Sequence, residues 1–394
     1  MTSNYEDSPK PGGSRSLKWS AIGLAGKHGT VAVFALVLAR LLGPDAYGLV
    51  AQATIYITLT TLLLDQGIAA ALMSERAVHR PVLGAAITLN MLLAVVLGGL
   101  TVGIAPGVAG FFGEPNLTPV LSVLGIGLLF KGAAIVPRMM LGRSLNFKAI
   151  ALCDLTGAIA GGVLGISLAI GGADYWSLVG QNLAMDVVAA ILYIAFAHPP
   201  APNLQVRLIR PLLGFSSRVF GSNLLSYAAG NSDSILIGRY LGASALATYD
   251  VAYRFLRLPV DMTSQILSRV LFPLVAGKMH RGEAVAPIVF RSVRGVSYLT
   301  FPLMALVGAA APQLVAVVLG SEWTAAVPIL VVFALSGARQ SITTINTPVM
   351  LGLGQAGAQL RFSIIAAVIQ VSAIGLGLQW GALGVAVSYT VAGF

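Results

Sequence analysis

The feature that most constrains this chain is a succession of long apolar runs, each but the last at least 20 residues long, whose connections carry Lys or Arg on alternate sides. A hydrocarbon core of roughly 30 Å takes about 20 helical residues to cross. Runs of that length, bounded by charge, Pro or Gly-Asp punctuation, predict twelve membrane spans. The first six are Leu17 to Leu42, Ala46 to Ser74, Val82 to Phe112, Leu117 to Leu141, Phe147 to Gly171 and Tyr175 to Ala197. The second six are Leu212 to Leu241, Ala243 to Ala276, Val285 to Leu319, Trp323 to Met350, Gln355 to Leu378 and Trp380 to Phe394. The last run is too short to span and reads as an incomplete helix. Composition excludes a water-soluble enzyme core: 57% of the 394 residues are hydrophobic and only 10% are charged. The mean hydropathy is +0.86.

Orientation follows from the cations. One set of loops holds Arg76 and Arg80; Arg138, Arg143 and Lys148; Arg207 and Arg210; Lys278, Arg281, Arg291 and Arg294; and Arg361. That side is expected to be cytoplasmic. The opposite connections offer Asp45, Glu114, Asp174 and Glu322, with Arg40 and Arg239 near that face. The polar tail of residues 1–16, expected to be disordered, then lies inside. A net charge of +10 raises nucleic acid as a partner. The charges are spread over separate loops with no nucleic-acid module around them, so topology and anionic lipid headgroups explain them better. The first apolar run is too long for a signal-peptide core and has no clear A-x-A site. The single Cys153 excludes an internal disulfide.

Two halves repeat with a period near 200 residues. Arg40-Leu41-Leu42-Gly43 matches Arg239-Tyr240-Leu241-Gly242, Gly113-Glu114 matches Gly320-Ser321, and Pro137 to Gly142 resembles Pro348 to Gly352. Six helices return the chain to the side it started from, so the halves are expected to be parallel repeats. The predicted organisation is a six-helix bundle over residues 17–198, a cytoplasmic linker over 199–211 and a second helix bundle over 212–394. Two-bundle transporters place their substrate path between such halves, so the pattern points to transport.

Ionisable residues inside spans are costly and usually face protein or a wet cavity. Lys27 lies ten residues into the first predicted span, about 15 Å deep, and Lys131 and Arg339 lie at comparable depth in the fourth and tenth. Each can instead pair with an acid and simply hold helices together; for Lys27 such a partner is Asp65. In the eighth span Asp250, Arg254, Arg257 and Asp261 follow at i, i+4, i+7 and i+11, with Gln265 four residues later, all on one face. The Asp250–Arg254 and Arg257–Asp261 spacings allow internal ion pairs. The second span carries a milder polar stripe of Thr54, Thr58, Thr61 and Asp65. Asp65, Asp154 and Asp186 are the carboxylates able to carry a coupling proton or cation. Gly157, Gly161 and Gly165 suit close helix packing.

Signals for other chemistry are weak. Gly23 to Thr30 imitates a phosphate loop, but Ala21 replaces its first Gly, His28 replaces the Ser or Thr after Lys27, and no strand precedes it. His28, His79, His198 and His280 lack ligand spacing, and no Ser, His and acid arrangement is visible. No cofactor or metal is expected.

The chain resembles the polysaccharide transporter family, which includes Wzx-type flippases, within the multidrug/oligosaccharidyl-lipid/polysaccharide exporter superfamily. The resemblance spans about residues 17 to 394. It rests on Leu38 to Pro44 with Tyr47-Gly48, Arg143 to Phe147, Tyr175 to Val179 and Gly221 to Leu225. It continues in Asp233 with Ile237 to Gly242, Arg269 to Pro273 and Gly320 to Trp323. It implies an all-α polytopic membrane protein, two six-helix bundles forming a V around a central cavity. It further implies an inner-membrane flippase that moves polyprenyl-pyrophosphate-linked oligosaccharide to the outer leaflet by alternating access, with other polysaccharide-assembly membrane proteins as partners. A pyrophosphate needs fixed cations, for which Lys27, Lys131, Arg254, Arg257 and Arg339 are candidates. Sugars need hydroxyl and amide partners, for which Asn223, Tyr227, Asn231 and Gln265 are candidates. The rivals are a cation-coupled multidrug exporter of the same superfamily, which should show an acid-rich cavity, and a membrane enzyme of polysaccharide synthesis, which should show a sizeable outer loop.

Overall fold

The computed structural model describes residues 13–65, 72–73, 78–205, 223–224, 227–228 and 230–393; the side chains of 13–25, 258–259 and 261–270 lie outside the description. The first two expected spans form one stretch, Gly13–Asp65, broken by non-helical backbone at Gly43 with φ 72° and ψ 176°. Its arms are α1 (13–42) and α2 (44–65). There follow α3 (Arg80–Phe112), α4 (Leu117–Arg143), α5 (Phe147–Ile170), α6 (Trp176–Ala197), α7 (Ser232–Tyr240) and α8 (Ala243–His280). The last four are α9 (Ala286–Ala309), α10 (Ala326–Gly352, with a turn at Thr344 and Ile345), α11 (Ala356–Gly377) and α12 (Gly381–Ala392). Residues 212–222, 225–226 and 229 of the seventh expected span lie outside the described residues.

Boundaries differ from expectation where turn chemistry intervenes. Helix is already present at Gly13, four residues before the expected start. The run Val285 to Leu319 is too long for one straight crossing. It ends as α9 at Ala309, and Pro312 starts a single turn that passes into a π-turn over Val315–Leu319. The repeat pair Gly43 and Gly242 shares one backbone conformation, φ 72° with ψ 176° and φ 87° with ψ 179°, in a region open essentially to glycine alone. The pair Gly113 and Gly320 does not: φ 76° with ψ 20° is left-handed helical, while φ 98° with ψ 178° is not.

Eight helical stretches among the described residues are long and apolar enough to cross a membrane. Their packing inverts the soluble pattern. In α3 most buried positions are small, among them Gly84, Ala85, Ala86, Ala94, Gly98 and Ala105, while Leu92, Val95, Val96 and Leu100 are exposed. Large apolar side chains facing outward suit lipid, and small ones facing inward let backbones approach. This is a multi-pass membrane protein.

The helices gather in two compact units, Met1–Leu42 with Leu49–Gly230, and Gly43–Gly48 with Asn231–Phe394. In the first, the glycine stripe of α5 lies against α6: a Cβ added at Gly157 would stand 2.9 Å from the Met185 carbonyl oxygen, and one at Gly161 would stand 2.5 Å from that of Gln181. The same helix faces α1, through Leu155 near Gly26, Gly162 under the Phe34 ring and Gly165 beside Leu38. A core of Leu83, Val136, Met139, Met140, Cys153 and Tyr193 fills one end. The start of the expected linker is docked there too, since Asn203 donates from its backbone to Gly84 O and from its side chain to Pro81 O.

In the second unit an aromatic core joins Tyr249 and Tyr253 of α8, Phe333 of α10 and Tyr389 of α12, with ring centroids 5.1 to 6.0 Å apart. The segment Gly43–Gly48 belongs to this unit: Tyr47 packs edge-on to the buried Trp323 at 5.7 Å, and Gly48 lies flat against the Ala243 backbone. Between α8 and α9, hydrogen bonds from Arg281 and Lys278, both 2.6 Å, hold the exposed Glu283 carboxyl down to about 2.

Candidate functional site

The first unit carries charge in its interior, and the helix register explains how. On α4, Lys131 and Arg138 are seven residues apart and share a face; on α6, Asp186 and Tyr193 do the same. The chain enters α4 and α6 from one side, so the two faces meet at two levels. At one level Lys131 Nζ lies 2.9 Å from Asp186 Oδ1. Two turns further on, the Arg138 guanidinium stands 5.9 Å from the centre of the Tyr193 ring.

Between them at this second level α5 places Asp154, and α1 places Lys27. Lys27 Nζ and the Tyr193 hydroxyl each donate to Asp154 Oδ1 at 2.9 Å, and Arg138 donates to Oδ2 at 3.4 Å. The glycine contacts between α1 and α5 set this level, because Gly26 and Leu155 adjoin the pair. Asp154 is the eighth residue of α5, about 10 Å from its start at 1.5 Å per residue. Both lysine side chains are 28% exposed, whereas Asp154 and Asp186 are 12% and 13% exposed. The cations therefore reach the surface of this unit and their counter-ions lie behind them. An ammonium facing lipid would be costly, so this surface suits water or an anion.

Lys27 thus pairs with Asp154 and not with Asp65, which ends α2. The structure brings together four of the sequence candidates, Lys27, Lys131, Asp154 and Asp186. The Tyr227 hydroxyl donates to the Ile55 carbonyl at 2.6 Å, within the same unit, and Asn223 is helical and exposed.

The other candidates belong to the second unit. Arg254 makes the expected pair with Asp250, at 3.2 Å, and its guanidinium lies 5.6 Å from the Tyr47 ring centre. Arg257 lies 5.8 Å from the Tyr253 ring centre. Its expected partner Asp261, and Gln265, have side chains outside the described residues. Arg339 donates to the Gly393 carbonyl beyond the end of α12, and Asn231 sits at the start of α7.

Sequence reasoning missed two participants, Arg138 and Tyr193, and the surroundings of Asp233 in the second unit. In sequence Arg138 reads only as a loop cation and Tyr193 carries no charge to mark it; the signal is their seven-residue spacing from Lys131 and Asp186. Asp233 of α7 is 4% exposed and accepts a 2.8 Å bond from the Tyr249 hydroxyl. Its environment had no sequence signature, since Tyr249 reads as an ordinary apolar-face aromatic.

Apolar helical spans packed in this way define an all-α polytopic membrane fold. The lipid II flippase MurJ, in an inward closed conformation, shares it with a TM-score of 0.75 and 14% identity over 96% of this chain and 85% of that one. A multidrug resistance MATE family transporter in an inward-facing conformation shares it with a TM-score of 0.64 and 14% identity over 95% and 94%. Residues 37–328 match the family described as polysaccharide biosynthesis protein, and the chain belongs to that family. Among relatives, the succinoglycan biosynthesis transport protein ExoT of Rhizobium meliloti is 26% identical over 94% of this chain and 75% of its own length. The lipopolysaccharide biosynthesis protein WzxC of Escherichia coli is 22% identical over 94% and 76%. The teichuronic acid biosynthesis protein TuaB of Bacillus subtilis is 26% identical over 75% and 62%.

Proposed function

We propose that this protein is a flippase that carries polyprenyl-diphosphate-linked oligosaccharide across the bacterial inner membrane for surface polysaccharide assembly, with its amino terminus in the cytoplasm. The observation that carries the reading is the pair of partly exposed lysines, Lys27 and Lys131, backed by largely buried carboxylates inside the first helical unit. A diphosphate diester is anionic, and a cation at low dielectric with spare N–H donors is what would hold it. Membership of the polysaccharide biosynthesis family and likeness to proteins named for succinoglycan, lipopolysaccharide and teichuronic acid synthesis support the same cargo class.

In this reading Lys27 binds the diphosphate, and Lys131, held by Asp186, keeps the surroundings cationic, with Arg254, Arg257 and Arg339 as further cations on the second unit. Asn223, Tyr227, Asn231 and Gln265 meet the sugar hydroxyls. Alternating access exposes the site to each side of the membrane in turn. The carboxylates Asp65, Asp154 and Asp186 are where an ion gradient would act. A MATE-type exporter of organic cations would use an acidic site. Here each deep acid at the described centre already faces a cation.

Deleting the gene tests this in cells. Surface polysaccharide should be lost and lipid-linked oligosaccharide should accumulate in the membrane, while efflux of cationic dyes stays unchanged. Normal polysaccharide together with lost dye efflux would transfer the protein to the multidrug reading.

A further inference from the structure

The two lysine–aspartate pairs of the first unit look alike in distance and exposure, but their acids differ in how many donors they keep. Asp186 accepts from Lys131 alone among the described residues. Asp154 accepts from three groups on three other helices: Lys27 on α1, Arg138 on α4 and Tyr193 on α6. Breaking a buried ion pair is expensive because it strands the remaining charge. Withdrawing Lys131 would strand Asp186. Withdrawing Lys27 would leave Asp154 with a guanidinium and a phenol. The Arg138 bond, at 3.4 Å, is longer than the 2.7–2.9 Å usual between a cation and a carboxylate, so it has room to tighten.

We propose that Asp154 is an exchangeable counter-ion: it occupies Lys27 when the site is empty, and it gives up Lys27 to the diphosphate of the cargo while Arg138 and Tyr193 retain its carboxylate. This rests on the flippase reading above and adds to it a division of labour. Lys27 is the ammonium that moves to the cargo, and Lys131 stays with Asp186. Asp154 is a positioning residue. It touches no cargo, but it competes for the same ammonium and thereby sets a threshold that a weakly charged lipid does not cross. Arg138 and Tyr193 make that exchange affordable, which accounts for two polar groups at this level that a simple structural pair would not need.

The test uses the full chain in detergent with farnesyl diphosphate as the probe and inorganic pyrophosphate as a second one. Asp154→Asn keeps an acceptor for Tyr193 and removes the competing charge. It should bind farnesyl diphosphate about tenfold more tightly than the wild type, about 1.4 kcal/mol. Lys27→Gln should bind it at least tenfold more weakly. Tighter binding of farnesyl diphosphate than of pyrophosphate marks a carrier site; equal binding of the two marks a site for free anions and overturns the assignment. Reductive ¹³C-methylation of the wild type gives a readout that does not depend on any variant folding. The Lys27 methyl resonance should shift on adding the probe and the Lys131 resonance should stay. A static Lys27 resonance, a shift at Lys131 alone, or unchanged affinity in Asp154→Asn would overturn the exchange. Such a result in a protein whose deletion still abolishes export would leave the flippase reading standing, whereas intact export after deletion would remove that reading itself.

Discussion

At the scale of single residues, the proposed chemistry depends on ammonium groups that are held without being sealed in. Lys27 has three N–H donors and the described structure spends one, on Asp154. Lys27→Ala and Lys27→Gln should therefore abolish polysaccharide export, since a charge-assisted bond to phosphate is worth roughly 1.5 to 3 kcal/mol or more. Lys27→Arg should keep part of it. Membrane abundance must be measured in the same cells, because the loss of Lys27 also removes a donor from Asp154. Full export by a well-expressed Lys27→Ala protein would eliminate the binding role. The sequence exposed each of these charges, because an ionisable residue inside an apolar run stands out. It could not pair them. Lys27 and Asp154 are 127 positions apart, and Asp65 was as good a partner until α1 was known to lie along α5.

At the scale of elements, glycine decides how near the helices come. The spacing of Gly157, Gly161 and Gly165 announced close packing, and the stripe indeed lies on the α6 backbone at Met185, Gln181 and Ser177. Gly161→Ala should lower stability by about 1–3 kcal/mol, the usual cost of overpacking. Gly99→Ala on α3, where an added Cβ meets nothing within 4 Å, should be neutral or stabilising by less than about 1 kcal/mol. Thermal unfolding of the two purified variants in one detergent compares them; equal melting temperatures would contradict the packing account. Helix ends were legible wherever glycine or proline punctuated them, as at Gly43-Pro44. The run beginning at Val285 reads as one span because its break needs Pro312 and a π-turn inside a largely apolar stretch, and hydropathy does not register backbone geometry.

At the scale of the whole molecule, the alternating cations predict which way the helices run. α4 has 27 residues and is about 40 Å long, enough for Asn116 and Arg143 to lie on opposite sides of a bilayer. A cysteine beside Arg143 should react with an impermeant maleimide only from the cytoplasm, and one at Asn116 only from outside. Reversed labelling would overturn the orientation. The all-α class and the multi-pass membrane nature were plain from composition and run length. The assignment of Gly43–Gly48 to the second unit was not, since it depends on Tyr47 and Gly48 meeting Trp323 and Ala243 far along the chain.

The most direct measurement of the central claim is translocation by the purified protein in vesicles. A polyprenyl-diphosphate oligosaccharide with a fluorophore on its sugar is placed in both leaflets, and impermeant dithionite is added outside under an imposed proton or sodium gradient. Vesicles holding the wild type should lose fluorescence beyond the outer-leaflet share, and those holding Lys27→Ala should lose that share alone. Wild-type vesicles that behave like protein-free ones under every gradient, or Lys27→Ala vesicles that match the wild type, would contradict the account.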